Sequence, residues 1–275
     1  MTVISGYGGA VNGETGVRQW QIGLKAELSD YGSSNTAGLT SSIEGIEDWS
    51  GSYGGYGDCP AALPGESLSF VGSIDGSVGA SGTAIVDSVT INCDVEGRKP
   101  IEYTVNFSAN GALTRGAAAV ADASVELPPY AGKVALGTVA AEPTWTDETD
   151  VRNWSLTITA ANASYASSST SNATRRVRGN ISVTFNYSVY AAGGMASLIA
   201  PNTIKGLRLH STASTYWELL WVLFGDASDL TVNREQVNVV GCSYSGKYRG
   251  ITLVGSADTK GSIKKPGGAT YWPAA

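Results

Sequence analysis

Residues able to perform acid–base or nucleophilic chemistry are few and scattered in this chain of 275 residues. His210 is the single histidine, so any Ser/His/Asp or Cys/His arrangement would have to be built around it. It lies near Arg208 in the strand-like run IKGLRLHS, which indicates a sheet or surface histidine rather than a general base. Glu44, Glu47 and Asp48 cluster, and glycosidases use two carboxylates, but any acidic strand meets that criterion. The sequence therefore predicts a protein that is not an enzyme.

Metal and cofactor sites are equally hard to assemble from these residues. Cys59, Cys93 and Cys242 are too scattered for a disulfide framework, and the chain holds no CxxC pair that would indicate zinc. We align Cys93 (CDVEG) with Cys242 (CSYSG) at equivalent strand positions, which favours buried packing over reactivity. The glycine-rich patch GSYGGYGDC lacks the GK[ST] of a phosphate loop. We expect no cofactor.

The composition favours strands and turns. Charged residues make up 15% of the chain, against roughly 25% in an average soluble domain. Glycine occurs 35 times, and Ser, Thr, Val and Ala dominate the remainder, a mixture typical of β-structure. The N-terminus has neither a basic start nor an apolar run, and no apolar run approaches the roughly 20 residues of a membrane span. We expect a soluble chain made inside a cell.

An internal repeat organises the sequence. The segment ETGVRQWQIGLKAELSDY (14–31) aligns without gaps with ETDVRNWSLTITAANASY (148–165). The same register then matches Gly45 with Gly179, Tyr53 with Tyr187 and Tyr56 with Tyr190. The repeat predicts two tandem β-sandwich or barrel domains, 1–140 and 141–275, the second with a C-terminal extension.

Each copy is predicted to contain the same order of elements. In the first copy we expect strands at 17–28, 42–53, 67–74, 83–95 and 101–109, with a long loop at 29–41. The second copy holds additional residues around STASTYWELLWVLFG, where Thr215-x-x-Glu218 resembles a capping box. This pattern predicts one short helix in the second copy. The first copy either has a matching helix or, as the alternative, a shortened turn at Asp58–Leu63 in its place.

Both copies keep a long loop at the same place, at 29–41 and at 162–175. Long loops without structure of their own are uncommon in compact domains and are often functional. We predict that they are arms that contact another subunit; the alternative is a mobile hairpin tip. The candidate residues are Asp30, Tyr31, Asn35, Thr36, Tyr165, Ser168, Asn172 and Arg175.

Charge differs between the copies. Residues 1–140 carry 15 acidic and 6 basic side chains, a net charge of −9, whereas 141–275 carry 9 and 12, a net of +3. Ser41, Ser42 and Glu44 align with three arginines, Arg175, Arg176 and Arg178. Unlike charges at matched positions favour two copies placed side by side with a fixed register. Independent drift of exposed positions is the alternative.

The duplicated pattern resembles the major tail tube protein of long-tailed bacteriophages. The resemblance rests on the two VR(Q/N)W strands with their long loops and on the long strands around CDVEG and CSYSG. It implies that each domain gives strands to a barrel lining a channel, and that three two-domain chains form one ring. The rings would stack around a tape-measure protein, meet tail-end proteins at each end, and then pass DNA without sequence-specific binding.

The resemblance also implies a virion location, after assembly in the host cytoplasm and without a membrane partner. It makes Glu44, Glu47, Asp48, Arg176 and Arg178 candidates for lumen or inter-domain charges. One alternative is another β-rich virion protein, at the tail tip or decorating the capsid. A second is a carbohydrate-binding adhesin module, in which Trp49, Tyr53, Tyr56 and Tyr187 would stack on sugars.

Overall fold

The structure is a computed structural model that describes residues 10–11, 14, 16–32, 39–74, 78–117, 132–140, 142–170, 173–190, 199–225, 229–231, 241–254 and 257–272. Throughout these ranges the regular elements are β-strands and none is a helix, so the prediction of a mainly β protein is confirmed. The strands are β1 (Ala10–Val11), β2 (Val17–Tyr31), β3 (Ser41–Tyr56), β4 (Ser67–Ser73), β5 (Val78–Asp94), β6 (Glu102–Ala117), β7 (Lys133–Gly137), β8 (Trp145–Asp147), β9 (Val151–Ala160), β10 (Ala163–Tyr165), β11 (Arg175–Val177), β12 (Ile181–Tyr190), β13 (Ile204–His210), β14 (Tyr216–Phe224), β15 (Asp229–Thr231), β16 (Gly241–Tyr248), β17 (Ile251–Val254), β18 (Ala257–Lys260), β19 (Ile263–Lys264) and β20 (Thr270–Trp272).

One large antiparallel sheet dominates the fold. Its main path runs β2-β3-β6-β5-β9-β12-β16-β14-β13-β7-β8. We call β1–β6 the first half and β7–β20 the second half. The sheet passes between them without a break because β5 pairs with β9, from Ser88 opposite Thr159 to Asp94 opposite Asn153.

The two halves use the same strand order. The run β2-β3-β6-β5 corresponds to β9-β12-β16-β14, and β4 pairs with β5 as β13 pairs with β14. Likewise β1 pairs with β4 as β7 pairs with β13, so β7 lies in the sheet of the second half although it precedes residue 140. Side-chain contacts recur too: the Nε1 of Trp20 donates to the carbonyl of Ser73 (3.0 Å), and that of Trp154 to the carbonyl of His210 (3.1 Å).

A buried aromatic ring changes strands between the halves. In the first half Gly51 lies opposite Phe107, whereas in the second half Phe185 lies opposite Gly246. A Cβ on Gly51 would lie 2.6 Å from the ring of Phe107, and one on Gly246 would lie 2.7 Å from the ring of Phe185. Each pair therefore has space for one ring only, and the halves fill matched core volumes from opposite strands.

The short helix predicted around Thr215 is wrong, because Tyr216–Phe224 is a strand. Thr215 donates its backbone N–H to the Oγ1 of Thr212 (3.0 Å) and accepts at its carbonyl from Ser211 N (3.0 Å), which closes a turn between β13 and β14. The Thr-x-x-Glu pattern thus marks a turn rather than a helix start. Glu218, its last member, lies in β14 and holds Arg208 across the strand pair (2.5 Å).

Two further expectations about register and loops also change. The alignment of Cys93 with Cys242 is wrong: Cys93 lies opposite Trp154 on β9, whereas Cys242 lies in β16, which corresponds to β6, and takes the place of Tyr103 there. The first loop is shorter than predicted because β2 continues to Tyr31 and β3 begins at Ser41. The second contains a small ribbon, β10 paired with β11.

Candidate functional site: a polar sheet face, an internal junction and an open edge

In their central parts, seven strands of the sheet alternate between mostly apolar residues on one face and mostly small polar residues on the other. One face carries the buried core, including Tyr53, Phe107, Leu156, Phe185 and Tyr244. We call the opposite face, formed by the alternate residues of β2, β3, β6, β5, β9, β12 and β16, the polar face. Its members include Gln21, Gly23, Ser50, Ser52, Thr104, Asn106, Ser108, Ser88, Thr90, Asn92, Ser155, Thr157, Thr159, Ser182, Thr184, Asn186, Ser188, Ser243 and Ser245.

Hydroxyl and amide groups form continuous rows across this face. One row passes through Thr104, Thr90, Thr157 and Thr184, which lie opposite one another on β6, β5, β9 and β12. The hydroxyls of Thr90 and Thr157 lie 3.3 Å apart, across the boundary between the halves. Short neutral side chains of this kind offer hydrogen bonds without a net charge, so the face is wettable. The row ends on β16 at Lys247, an exposed cation opposite Thr184.

The arginines at the margin of the polar face are neutralised. Arg18 pairs with Glu102 (2.9 Å), and Arg152 pairs with Glu96 (2.6 Å). The two arginines occupy matched places, and each lies 4.9 Å from a tyrosine ring centroid, that of Tyr56 or Tyr190. The hydrogen bonds from Arg152 and Tyr190 lower the pKa of Glu96, which keeps this carboxylate ionised.

The internal junction between β5 and β9 buries apolar residues that are exposed at the matched edge strand. On β9, Leu156 and Ile158 are 0% exposed and lie opposite Ile91 and Val89 of β5. On β2 the matched residues are Ile22 and Leu24, and Leu24 is 50% exposed. The described partner of β2 in the sheet is β3. The difference in exposure follows from the neighbouring strand that β9 has and β2 lacks.

The second arm, residues 161–180, folds back over the first half. Arg176 makes a two-pronged ion pair with Asp48, with N···O distances of 2.9 and 3.1 Å, and the Arg176 side chain is only 13% exposed. Its backbone N–H donates to the Oδ1 of Asn110 (2.9 Å), and the guanidinium of Arg175 donates to the carbonyl of Asn110 (2.7 Å). Nearby, the amide of Asn162 donates to the Oδ1 of Asp87 (2.8 Å). The second arm is thus a clamp between the halves.

Two further contacts tie the halves together on the core side. Trp217 donates its Nε1 to the carbonyl of Asp58 (2.8 Å). Tyr271, in the C-terminal strand β20, donates its hydroxyl to the carbonyl of Pro64 (2.6 Å). The guanidinium of Arg178 lies 4.7 Å from the ring centroid of Trp272, so this arm residue also packs against the C-terminal strands.

The first arm is the outer end of the β2–β3 hairpin, beyond the irregularity at Ala26/Leu28. Its apolar side chains are the largest exposed group in the described part of the chain: Leu28 is 67% exposed, Ile43 54% and Tyr31 45%. Such a concentration of exposed apolar surface is typical of a protein–protein contact. Where the second arm carries arginines, the first arm carries Ser41 and Ser42.

The structure places the predicted loop residues as follows. Asp30 accepts a hydrogen bond from Ser42 (2.6 Å), Tyr165 is 50% exposed, and Ser168 lies exposed in the second arm. Asn35, Thr36 and Asn172 lie outside the described residues. Their contact with another subunit stays a prediction.

The predicted charge candidates are partly brought together. Asp48 and Arg176 meet, and the carbonyl of Glu47 accepts the backbone N–H of Thr174 (3.3 Å). Arg178 is separate from them and lies at the C-terminal strands. For Glu44 only the backbone is described, and it lies opposite Leu28. The small polar residues of the polar face were not among the predicted site residues, although their alternation is visible in runs such as SVTFNYS (182–188).

His210, the only histidine, is a buried sheet residue. It is 5% exposed and its ring lies 4.8 Å from that of Tyr216. Burial, and then the nearby charge of Lys133, lower its pKa, so the imidazole is neutral at pH 7. Among the described residues no group of three or more His, Cys, Asp or Glu is arranged to hold a metal ion. The described residues also contain no helix long and apolar enough to cross a membrane.

No protein-family model matches the chain, and a search of curated proteins finds no match either.

Proposed function

We propose that the chain is a structural virion protein that assembles, three copies to a ring and ring upon ring, into the tail tube of a long-tailed bacteriophage. In this proposal its two halves are tandem domains of the tail-tube type. The polar face lines the channel, and the tube first encloses a tape-measure protein and then passes DNA. Tail-end proteins bind its two ends.

The polar face is the observation that supports this proposal most directly. DNA carries one negative charge per about 1.7 Å of helix axis, and Lys or Arg contacts to phosphate hold it in a salt-dependent manner. A channel wall mostly of Ser, Thr and Asn, with marginal arginines such as Arg18 paired to carboxylates and Lys247 as an isolated cation, would let DNA slide. The wall continues across β5 and β9, so both halves contribute to one surface.

The open edge and the first arm add support. A 15-residue strand at a sheet edge invites pairing with another chain, and proteins usually protect such edges. The exposed Leu24 and Leu28 do not protect it. A neighbouring copy covering this edge would close the sheet around a channel.

The adhesin alternative loses the residues on which it rested. Trp49, Tyr53 and Tyr187 are at most 3% exposed and pack in the core, so their rings cannot stack on a sugar. Tyr56 is partly covered by the guanidinium of Arg18. A tail-tip or capsid-decorating protein could contain the same sheet, so this alternative is distinguished from the tube by the form of the assembly.

Negative-stain microscopy of the purified chain over a range of concentrations tests the proposal. We expect tubes, or rings of three subunits that stack at higher concentration. Closed rings that never stack would favour a tail-tip or capsid role. A monodisperse monomer at every concentration would overturn self-assembly altogether.

A charge placed on the polar face provides a second test. Thr90→Lys and Thr157→Lys would put two cations in the centre of the proposed channel wall, on matched central strands. Wild-type tubes should not retain short duplex DNA at 50 mM salt. Tubes of the double variant should retain it at low salt and release it as salt rises. Equal DNA retention by both would mean that this face does not line the channel.

A further inference from the structure

The internal junction can serve as a template for the contact between chains. Within one chain, β5 of the first half lies beside β9 of the second half. By strand order, β2 corresponds to β9, and β14 together with β15 corresponds to β5. Thr231 of β15 lies opposite Gly241 as Asn92 of β5 lies opposite Glu102. A copy of this chain therefore carries both sides of a second junction, one at each end.

The contacts of the second arm show how such a second junction would differ. In the internal junction Arg176 of the arm pairs with Asp48. The matched residue of the first arm is Ser42, since Ser42 lies opposite Asp30 as Arg176 lies opposite Ser164. The matched residue for Asp48 is Ser182. Both members of the ion pair have changed together, so neither of these two positions would carry a charge at the second junction.

A second matched pair changes in the same coordinated way. Asn162 of the second arm bonds to Asp87, which follows Val86 on β5. The matched residues are Leu28 on the first arm and Gly225, which follows Phe224 on β14. A polar pair is thus replaced by an apolar side chain facing a glycine. Had only one member changed, a buried polar group would face an apolar one, at a cost of roughly 1–3 kcal/mol.

Exposure points to the same partner. Leu24 is 50% exposed where its counterpart Ile158 is 0% exposed, and Leu28 is 67% exposed. The surface that covers Ile158 is an edge of β5. Among the described residues, the edge that corresponds to it in the second half is that of β15, which pairs with β16.

We infer that β2 and the first arm of one copy dock on β15 and the second half of another copy, in the register of the internal junction. In that register Gln21 lies opposite Thr231 of the next copy, Gly23 opposite Asp229, and Ile22 opposite Leu230. Leu28 lies against Gly225, and Ser42 lies near Ser182. This inference rests on the proposed self-assembly and specifies which surfaces meet and in what order.

Cysteine cross-linking of the full chain tests the register. Gln21→Cys with Thr231→Cys should give chain-to-chain disulfides under a mild thiol oxidant. The matched control, Asn92→Cys with Ser155→Cys, occupies the internal junction and should form a disulfide within one chain. Lys25→Cys with Thr231→Cys is displaced by four residues, about 13 Å along the strand, and should not cross-link. Wild type controls for the native thiols, of which Cys93 and Cys242 are buried.

The expected result is that most Gln21→Cys/Thr231→Cys chains run as covalent oligomers on a non-reducing gel, while the displaced pair runs as monomer. The same samples are viewed by negative stain. Rings or tubes without the cross-link overturn the inferred register and leave the proposed function standing. Cross-linked closed oligomers that never stack support the inference and overturn the tube. Monomers without cross-links overturn both.

Discussion

Replacing Leu24 and Leu28 by serine should weaken assembly and leave the fold intact. The two side chains are 50% and 67% exposed in the single chain, so the surface that each still shows is available to a partner. Full burial of a leucine side chain contributes about 1.5–3 kcal/mol. Covering the exposed parts therefore contributes about 1 kcal/mol at Leu24 and roughly 1.5 kcal/mol at Leu28.

The double variant should thus weaken each chain-to-chain junction by about 2–3 kcal/mol, which is roughly a 30- to 150-fold increase in the dissociation constant. Sedimentation velocity over a concentration series measures this as a shift in the concentration at which oligomers appear. The monomer should keep its cooperative unfolding, with a loss of no more than about 1–2 kcal/mol, because neither side chain lies in the fully buried core.

Ile158→Ser is the matched control. Ile158 holds the place of Leu24 at the internal junction, where it is 0% exposed, so its truncation acts on the fold. We expect it to lower the free energy of unfolding by about 3–5 kcal/mol. Assembly of the Leu24→Ser/Leu28→Ser variant at the wild-type concentration would refute the argument that these residues are covered by another copy.

Three further predictions concern charges. Arg176→Met should lower the free energy of unfolding by about 1–3 kcal/mol and Asp48→Asn by less, with a double-mutant coupling near 1 kcal/mol that shrinks at high salt, because their ion pair is only partly exposed. Burial raises the pKa of Glu218, but hydrogen bonds from Lys264 and Arg208 outweigh it and lower the pKa in the folded state. The stability that Glu218 contributes is therefore present above its unfolded pKa and lost as pH falls through the folded pKa. Glu218→Gln should flatten this acid-side fall in the free energy of unfolding, measured by urea titrations over a range of pH. Finally, Arg249→Glu should weaken assembly several-fold, and Asp30→Lys added to it should restore assembly. Arg249 matches Asn110, which holds the second arm internally. Failure of the second change to restore assembly would argue against a contact between Arg249 and Asp30.

The sequence repeat predicted the matched strands that carry the shared residues, but not how the residues downstream of them correspond. VRQW and VRNW align because both tryptophans make the same core hydrogen bond to the end of a strand, to Ser73 or to His210. Downstream, the halves keep the topology but change the residues, as in the exchange of Gly51 and Phe107 for Phe185 and Gly246. A sequence alignment cannot detect a ring that moves to the neighbouring strand, because neither position is conserved.

The helix prediction failed where both faces of a strand are buried. Trp217, Glu218, Leu219 and Val222 are all at most 3% exposed, so β14 lacks the alternation that marks a half-exposed strand. A short apolar run of this kind is compatible with a helix or a buried strand. The decision is made by long-range pairing with β13 and β16, which local pattern does not contain.

The charge difference between the halves could be predicted, but its meaning required the structure. Matched positions with Ser42 and Arg176 indicated specialisation; the fold shows that Arg176 acts on Asp48 of its own chain. The polar face was overlooked because hydroxyl residues alternating with apolar ones are typical of any half-exposed strand. What distinguishes this face is long-range register, which aligns the hydroxyl residues of β6, β5, β9 and β12 in rows.

The two junctions differ in a way that favours one order of assembly. In a junction built from two first halves, Asp48 of one copy would face Ser42 of the other, and the carboxylate would have no cation beside it. A junction built from two second halves would place Arg176 against Ser182 and Asn162 against Gly225, which leaves a partly buried guanidinium unpaired, at a cost of several kcal/mol. Only the alternating order pairs Arg176 with Asp48 within the chain and also covers Leu28 by the next chain. In the proposed assembly, fusing the halves in one chain would fix the junction of Arg176 and Asp48 during folding and leave the junction of Leu28 and Gly225 for assembly, so that each ring would contain the halves in strict alternation.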